Sequence, residues 1–273
     1  MPSPPPGFPG GGGRVNPFRK NRNKGRNRLE RAAKAARIGD RILSFLALVL
    51  ILLLLLYGGY SLWDTAMTYK GAFASSDLLQ YKPTGEADDL SLAELKELNP
   101  DVCAWLTVDD THIDYPVVRG EDNMEYVNKD VFGEFALSGA IFLDSRNQTD
   151  FSDSYSLLYG HHMDNGAMFG DIVEFADQDY FNGHKTGTLY LTDNQTYQIT
   201  LFACVKVDAS DSVVYTPEAQ KQGDVSSLLS HVREKAVQYR DIGVGSDDHI
   251  IGLSTCSDAE TNGRVVVFGR LDK

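Results

Sequence analysis

The sequence predicts a mostly β body, eight short strands closing into a barrel with short flanking helices and a helical insertion, preceded by one transmembrane helix. Three observations lead there. Between residues 104 and 271, eight short runs of apolar and β-branched residues are separated by turn chemistry. Residues 42–62 form a single stretch of 21 residues without a charge. The formal net charge of −12 is unevenly spread: residues 1–41 carry +9, residues 42–63 carry none, and residues 64–273 carry −21. With 273 residues, 42% of them hydrophobic and 23% charged, the chain is neither disordered throughout nor a fibrous repeat. Its three cysteines, none in a CxxC pair, exclude a disulfide-rich scaffold and a cysteine-built zinc site.

The elements follow in order. Residues 1–41 hold eleven Lys/Arg against Glu30 and Asp40, and open with the Pro/Gly-rich MPSPPPGFPGGGG, so they read as a disordered basic cytoplasmic tail. Residues 42–63 read as the transmembrane helix: 21 residues at 1.5 Å each cover about 30 Å, the thickness of a bilayer's hydrocarbon core. Residues 47–56 lack the polar stripe of a soluble helix, and Tyr57, Tyr60 and Trp63 cluster at the far end, where amphipathic rings favour the membrane boundary. The basic flank orients the N-terminus to the cytoplasm and the acidic body outside. A cleaved signal peptide would have a shorter apolar core and a small-residue cleavage site. Beside such a helix, the basic head suits anionic lipid head groups, and no nucleic-acid partner is expected. Residues 64–89 form a membrane-proximal stalk or helix.

From 90 to 273 a single domain is expected. Ser91 reads as the N-cap of a short helix with Glu94 three residues on and Leu92, Leu95 and Leu98 on one face, ended by Asn99-Pro100. The strands are expected at 104–108, 113–118, 140–143, 156–159, 188–191, 197–207, 250–255 and 265–271. Leu228, Leu229, Val232 and Val237 space a helix over 225–239.

Chemistry is sought at strand ends, which are held by the sheet yet open to solvent. His161-His162 follow one apolar run and Cys256 follows another, while Arg264 lies eight residues beyond Cys256. If a loop joins antiparallel neighbours, Arg264 returns beside Cys256. A neighbouring cation favours the thiolate, the nucleophilic form, so Cys, His and Arg at one rim would make a covalent acyl-transfer site. The plain alternative is a small buried hydrophobe, which suits Cys103 and Cys204 between apolar neighbours and applies to Cys256 on spacing alone. His112, His184, His231 and His249 sit in polar contexts and read as solvated. No metal ligand set is visible.

Several segments together resemble class B sortases. Leu253-Ser254-Thr255-Cys256 is similar to the TLxTC signature, with Gly252 where Thr is usual. Tyr159-Gly160-His161-His162-Met163 resembles the histidine segment. The stretch 113–118, Asp122-Asn123 and 139–144 resembles the family's first strands, and Asn262-Gly263-Arg264 its arginine strand. The four segments occur in family order over about residues 90–271. The resemblance implies an eight-stranded sortase-type barrel with the helical insertion before the cysteine strand, and an extracellular catalytic domain over 90–273. It implies Cys256 as nucleophile, His161 as acid/base and Arg264 as oxyanion or substrate stabiliser, with Asn123, Val127, Ser254 and Thr255 binding substrate. Ser257 stands where many class B members carry an acid.

The implied activity is membrane-anchored transpeptidation. A C-terminal sorting motif of a secreted protein is cleaved through a thioacyl-enzyme, and its new carboxyl end is joined to a peptidoglycan cross-bridge amine or a pilin lysine. No cofactor is implied; the acidic body leaves room for weak calcium binding, which no motif supports. Two other readings stay open: a membrane-anchored cysteine peptidase with water as acceptor, and a non-catalytic barrel that binds wall polymers.

Overall fold

The computed structural model describes residues 17–69, 72–74, 76–86, 89–220, 223–256 and 262–273. The chain divides into two compact units, Met1–Trp63 and Asp64–Lys273. Helix α1 spans Pro17–Tyr69. Between 42 and 62 its Leu, Ile, Phe and Tyr side chains are 51–75% exposed, so this apolar surface has no protein to cover it. The basic segment from Pro17 onward is helical, where composition suggested no structure. Residues 26–37 are rich in Arg, Ala, Leu and Lys, strong helix formers, and Arg26 lies 3.5 Å from Glu30 one turn on. The Pro/Gly-rich opening lies outside the described residues.

In the second unit a short turn of helix, α2 (Ser76–Leu79), precedes α3 (Ser91–Leu98). Ser91 is not the cap: the Asp89 carboxylate accepts its backbone N–H at 2.9 Å, and Leu90 occupies the N-cap position. Leu92 and Leu95 of α3 are buried against Val102 and Trp105.

All eight expected strands form: β1 (Val102–Val108), β2 (Asp114–Val118), β3 (Ile141–Leu143), β4 (Tyr155–Tyr159), β5 (Thr186–Leu191), β6 (Thr196–Asp208), β8 (His249–Cys256) and β9 (Gly263–Asp272). A ninth, β7 (Ala236–Tyr239), was not expected. The sheet order is β5-β1-β2-β3-β4-β8-β9-β6, and β5 pairs with β6 to close the barrel; β7 adds to the outer side of β6. A short helix, α4 (Gln178–Gly183), is capped by the Asp177 carboxylate, which accepts from the backbones of Asp179 and Tyr180.

The expected helix over 225–239 is shorter. Helix α5 covers Ser226–Lys235, and the chain then turns extended, pairing Tyr239 with Ala203 and Gln238 with Cys204. Leu228 and Val232 are the helical positions that bury, while Val237 is exposed, so its apolar character had lent the helix a false extension.

The continuous apolar runs of β4, β8 and β9 have a simple cause. Leu158, Ile251, Leu253, Val265 and Val267 fill the barrel interior. Their neighbours Leu157, Ile250, Val266 and Phe268 point the other way, into a second core under α5 with Leu228 and Val232. Successive strand residues face opposite sides, and both sides are covered.

Candidate active site

β4 and β8 run parallel and in register, Tyr155 with Ile250 through Tyr159 with Ser254. Carried two residues past Tyr159, that register brings His161 level with Cys256 in the chain. β8 and β9 are antiparallel, and Cys256 is the direct partner of Arg264. The backbone thus sets Cys256 beside Arg264 on neighbouring strands and brings the chain just past β4, where His161 lies, to the same rim of the barrel.

Two glycines permit this approach. A Cβ on Gly160 would lie 2.5 Å from Ile141 Cδ1 and 2.6 Å from Phe169 Cγ, so the turn into His161 needs glycine. At Gly252 a Cβ would lie 2.8 Å from the Tyr155 hydroxyl. The Tyr155 side chain occupies the space a threonine would use. Further bonds fix the histidine turn: Gly160 donates to the Ser254 carbonyl at 3.1 Å, the Thr255 hydroxyl to the Gly160 carbonyl at 2.9 Å, and Phe169 N–H to the His161 carbonyl at 3.0 Å.

A pocket of about 230 Å³ opens at this rim, lined by Val127, Phe142, Tyr159, Gly160, His161, Ser254, Thr255 and Arg264. Three of the four expected substrate-contacting residues, Val127, Ser254 and Thr255, stand in its wall. Asn123 does not. Its amide nitrogen donates to Asp144 at 2.9 Å and its amide oxygen accepts Ser145 N–H at 2.7 Å, behind the wall. Phe142 and Tyr159, both in the wall, and Tyr215 behind it were not singled out in the sequence as site residues. Tyr215 sets its hydroxyl 3.0 Å from Ser254 Oγ, a contact spanning 39 residues that no local pattern signals.

Burial lowers the His161 pKa below its ordinary value, which favours the neutral imidazole. The half-buried Arg264 donates to the Gly263 carbonyl at 3.0 Å, and its charge helps hold the exposed Asp208 carboxyl low, after the larger effect of hydrogen bonds from Ser210. Arg264 also borders a second, more polar cleft of about 490 Å³ with Lys206, Asp208 and Lys235.

Cys103 and Cys204 are buried, and desolvation pushes both thiols up to about 12, so neither is a nucleophile at neutral pH. Of the histidines expected to be solvated, His112 and His249 are exposed and His184 and His231 half-buried, and each also has a partner. His231 lies 2.8 Å from Asp211, His112 3.0 Å from Asp171, His184 stacks on Tyr180, and His249 bonds to the Asp153 carbonyl. Except for Tyr180, one helical turn before His184, these partners are distant in sequence, which polar local context does not reveal. Ser257 lies outside the described residues.

A histidine just past one strand with a cysteine and an arginine on the next two, beside a pocket that the histidine and arginine line, are the residue set of covalent acyl transfer. The sequence profile of the sortase domain matches residues 106–272. Sortase B of Listeria monocytogenes is 34% identical over 203 residues, covering 73% of this chain and 81% of its own. Among solved structures, a Streptococcus pyogenes class B sortase involved in pilus biogenesis superposes with a TM-score of 0.62 at 44% identity, covering 66% of this chain and 97% of that one. Sortase B from the type II pilus of Streptococcus pneumoniae matches at 0.56 and 39%, covering 66% and 98%. The chain belongs to the sortase family, class B, and is a cysteine transpeptidase.

Proposed function

We propose that the chain cleaves a C-terminal sorting motif of secreted proteins and joins the new carboxyl end to an amine, with Cys256 as nucleophile, His161 as acid/base and Arg264 as oxyanion stabiliser. The observation that supports this reading is the pairing of Cys256 with Arg264, together with the 230 Å³ pocket that His161 and Arg264 line. In the first step the Cys256 thiolate adds to the scissile carbonyl, and Arg264 donates to the developing oxyanion. The C–N bond then breaks, and the imidazolium of His161 gives its proton to the leaving amine. In the second step the acceptor amine attacks the thioester, loses a proton to His161, and expels Cys256 as thiolate. Neutral imidazole, which burial favours, is the form that receives that proton.

Val127, Ser254 and Thr255 are read as contacts to the sorting peptide. Between the two acceptor classes, a pilin lysine is favoured over a wall cross-bridge by one observation. Structures at 44% and 39% identity are of enzymes described as involved in pilus biogenesis and as coming from a pilus. The uncharged segment of α1 is read as an uncleaved anchor with the N-terminus cytoplasmic and the barrel outside, supported by its exposed apolar surface and the basic residues before it.

The test is incubation of the protein with sorting peptides and either a lysine-bearing pilin peptide or a cross-bridge peptide, with products weighed by mass spectrometry. Amide-joined product carrying the pilin lysine is expected. Hydrolysed product alone would assign the chain to peptidases, and coupling only to the cross-bridge would move the acceptor to the wall.

A further inference from the structure

Behind the pocket wall, Asp144, the residue after β3, is the most heavily bonded carboxylate of this rim. Its side chain is fully buried. One oxygen accepts Arg146 Nε–H at 2.8 Å and the Arg146 backbone N–H at 3.0 Å. The other accepts Arg146 Nη2–H at 2.8 Å, Asn123 Nδ2–H at 2.9 Å and the Tyr159 hydroxyl at 2.9 Å. Burial alone would push this carboxyl up, but the hydrogen bonds from Arg146, Tyr159 and Asn123 outweigh it and hold the group ionised.

The two partners reach in different directions. Tyr159 is part of the pocket wall, its ring stacked between Phe142 at 5.2 Å and Tyr215 at 6.3 Å. Arg146 reaches across to a segment about seventy residues later in the chain, with Nη1 3.0 Å from Glu218 and Nη2 2.8 Å from the Tyr215 carbonyl. Tyr215 in turn approaches Ser254, the strand partner of Tyr159 in the pocket wall. One planar guanidinium therefore meets a carboxylate, a carbonyl and a second carboxylate at once, which a lysine ammonium on a flexible stem cannot reproduce.

We propose that Asp144 and Arg146 are positioning residues for peptide binding, a brace that holds the Tyr159 wall and the 215–218 segment in one arrangement around the pocket. The proposal rests on the reading of this pocket as the sorting-peptide site. A pair that served only stability would change unfolding without changing peptide affinity. A brace changes affinity while leaving the reacting residues in place.

The test uses Arg146→Gln and Tyr159→Phe in the full chain, with KM and kcat for a sorting peptide and amide hydrogen exchange over residues 213–220. KM is expected to rise about tenfold in both, with kcat within about threefold, as for loss of hydrogen bonds to a charged group away from the reacting atoms. Exchange over 213–220 is expected to quicken in Arg146→Gln. Arg146→Lys keeps the charge without the fork; it is expected not to restore either value, and it serves as the test if the Gln variant fails to fold. Unchanged KM in a folded variant overturns the proposal, whether or not exchange quickens. A wild-type chain that turns over no sorting peptide fails the functional reading, whereas normal wild-type turnover with unchanged KM in the variants fails the brace alone.

Discussion

Strands β4, β8 and β9 change character within two or three residues. Their interior stretches, including Leu157-Leu158, Ile250 to Leu253 and Val265 to Phe268, are apolar apart from Gly252 and buried on both faces. Their ends carry His161, Cys256 and Arg264. The interior has no reactive group and sets the register; the rim makes little of the core and inherits its geometry. Substitutions should therefore separate into two kinds, those that unfold the barrel and those that silence it.

The largest separation is expected between Cys256→Ala and Leu253→Ala, three residues apart on one strand. The first should lower turnover by about 10⁴-fold or more with little change in unfolding. The second should cost about 2–5 kcal/mol of stability, because a fully buried leucine leaves a cavity. Peptide turnover and denaturant unfolding measured on both variants check this; equal effects on both axes would erase the division.

The adjacent histidines sharpen it further. His161→Ala is expected to reduce kcat by about 10²–10⁴-fold, the usual range for a general acid–base group. His162, which stands outside the pocket wall and pairs at 3.5 Å with the exposed Asp164, should be much milder when replaced by Ala. Equal losses would remove the acid/base role from His161. Arg264→Lys should follow with a loss of about 10²-fold, since one oxyanion donor is worth roughly that and lysine lacks the planar fork. Near-normal rates would move that role to another donor.

The smallest effect is one of pH. Burial lowers the His161 pKa, so the folded chain resists its protonation as pH falls through 6.5, where the unfolded chain accepts it. This group accordingly contributes nothing to stability above the ordinary histidine range and lowers stability as pH falls through 6.5 toward the folded value. The acid limb of kcat/KM that reports this imidazole should lie below 6.5. An NMR titration of His161 with a midpoint above 6.5 would contradict the direction.

The interior was the more legible region. Strands β4, β8 and β9 stand out because both faces are covered, which makes their sequences continuously apolar, while β5 and the start of β6 stand out by alternation of buried and exposed residues. β7 was hidden because Val237 extends the helical spacing of α5 although its side chain stays exposed. At the rim, the backbone adjacency of Cys256 and Arg264 follows from two strands and one loop. The pocket wall does not. Tyr159, Asp144, Arg146 and Tyr215 meet through contacts that span from two to sixty-nine residues, and the bonds of Asn123 to Asp144 and Ser145 join it to the same network. Long-range polar contacts carry no periodicity, so only the folded chain displays them.

The central claim is that the rim performs acyl transfer through Cys256. Its most direct test is intact-mass and peptide-mapping mass spectrometry of the protein mixed with a sorting peptide, before and after an amine is added. The account predicts an acyl group on Cys256 that disappears as amide-joined product accumulates. A product formed with no adduct on Cys256, or in the Cys256→Ala variant, would contradict it.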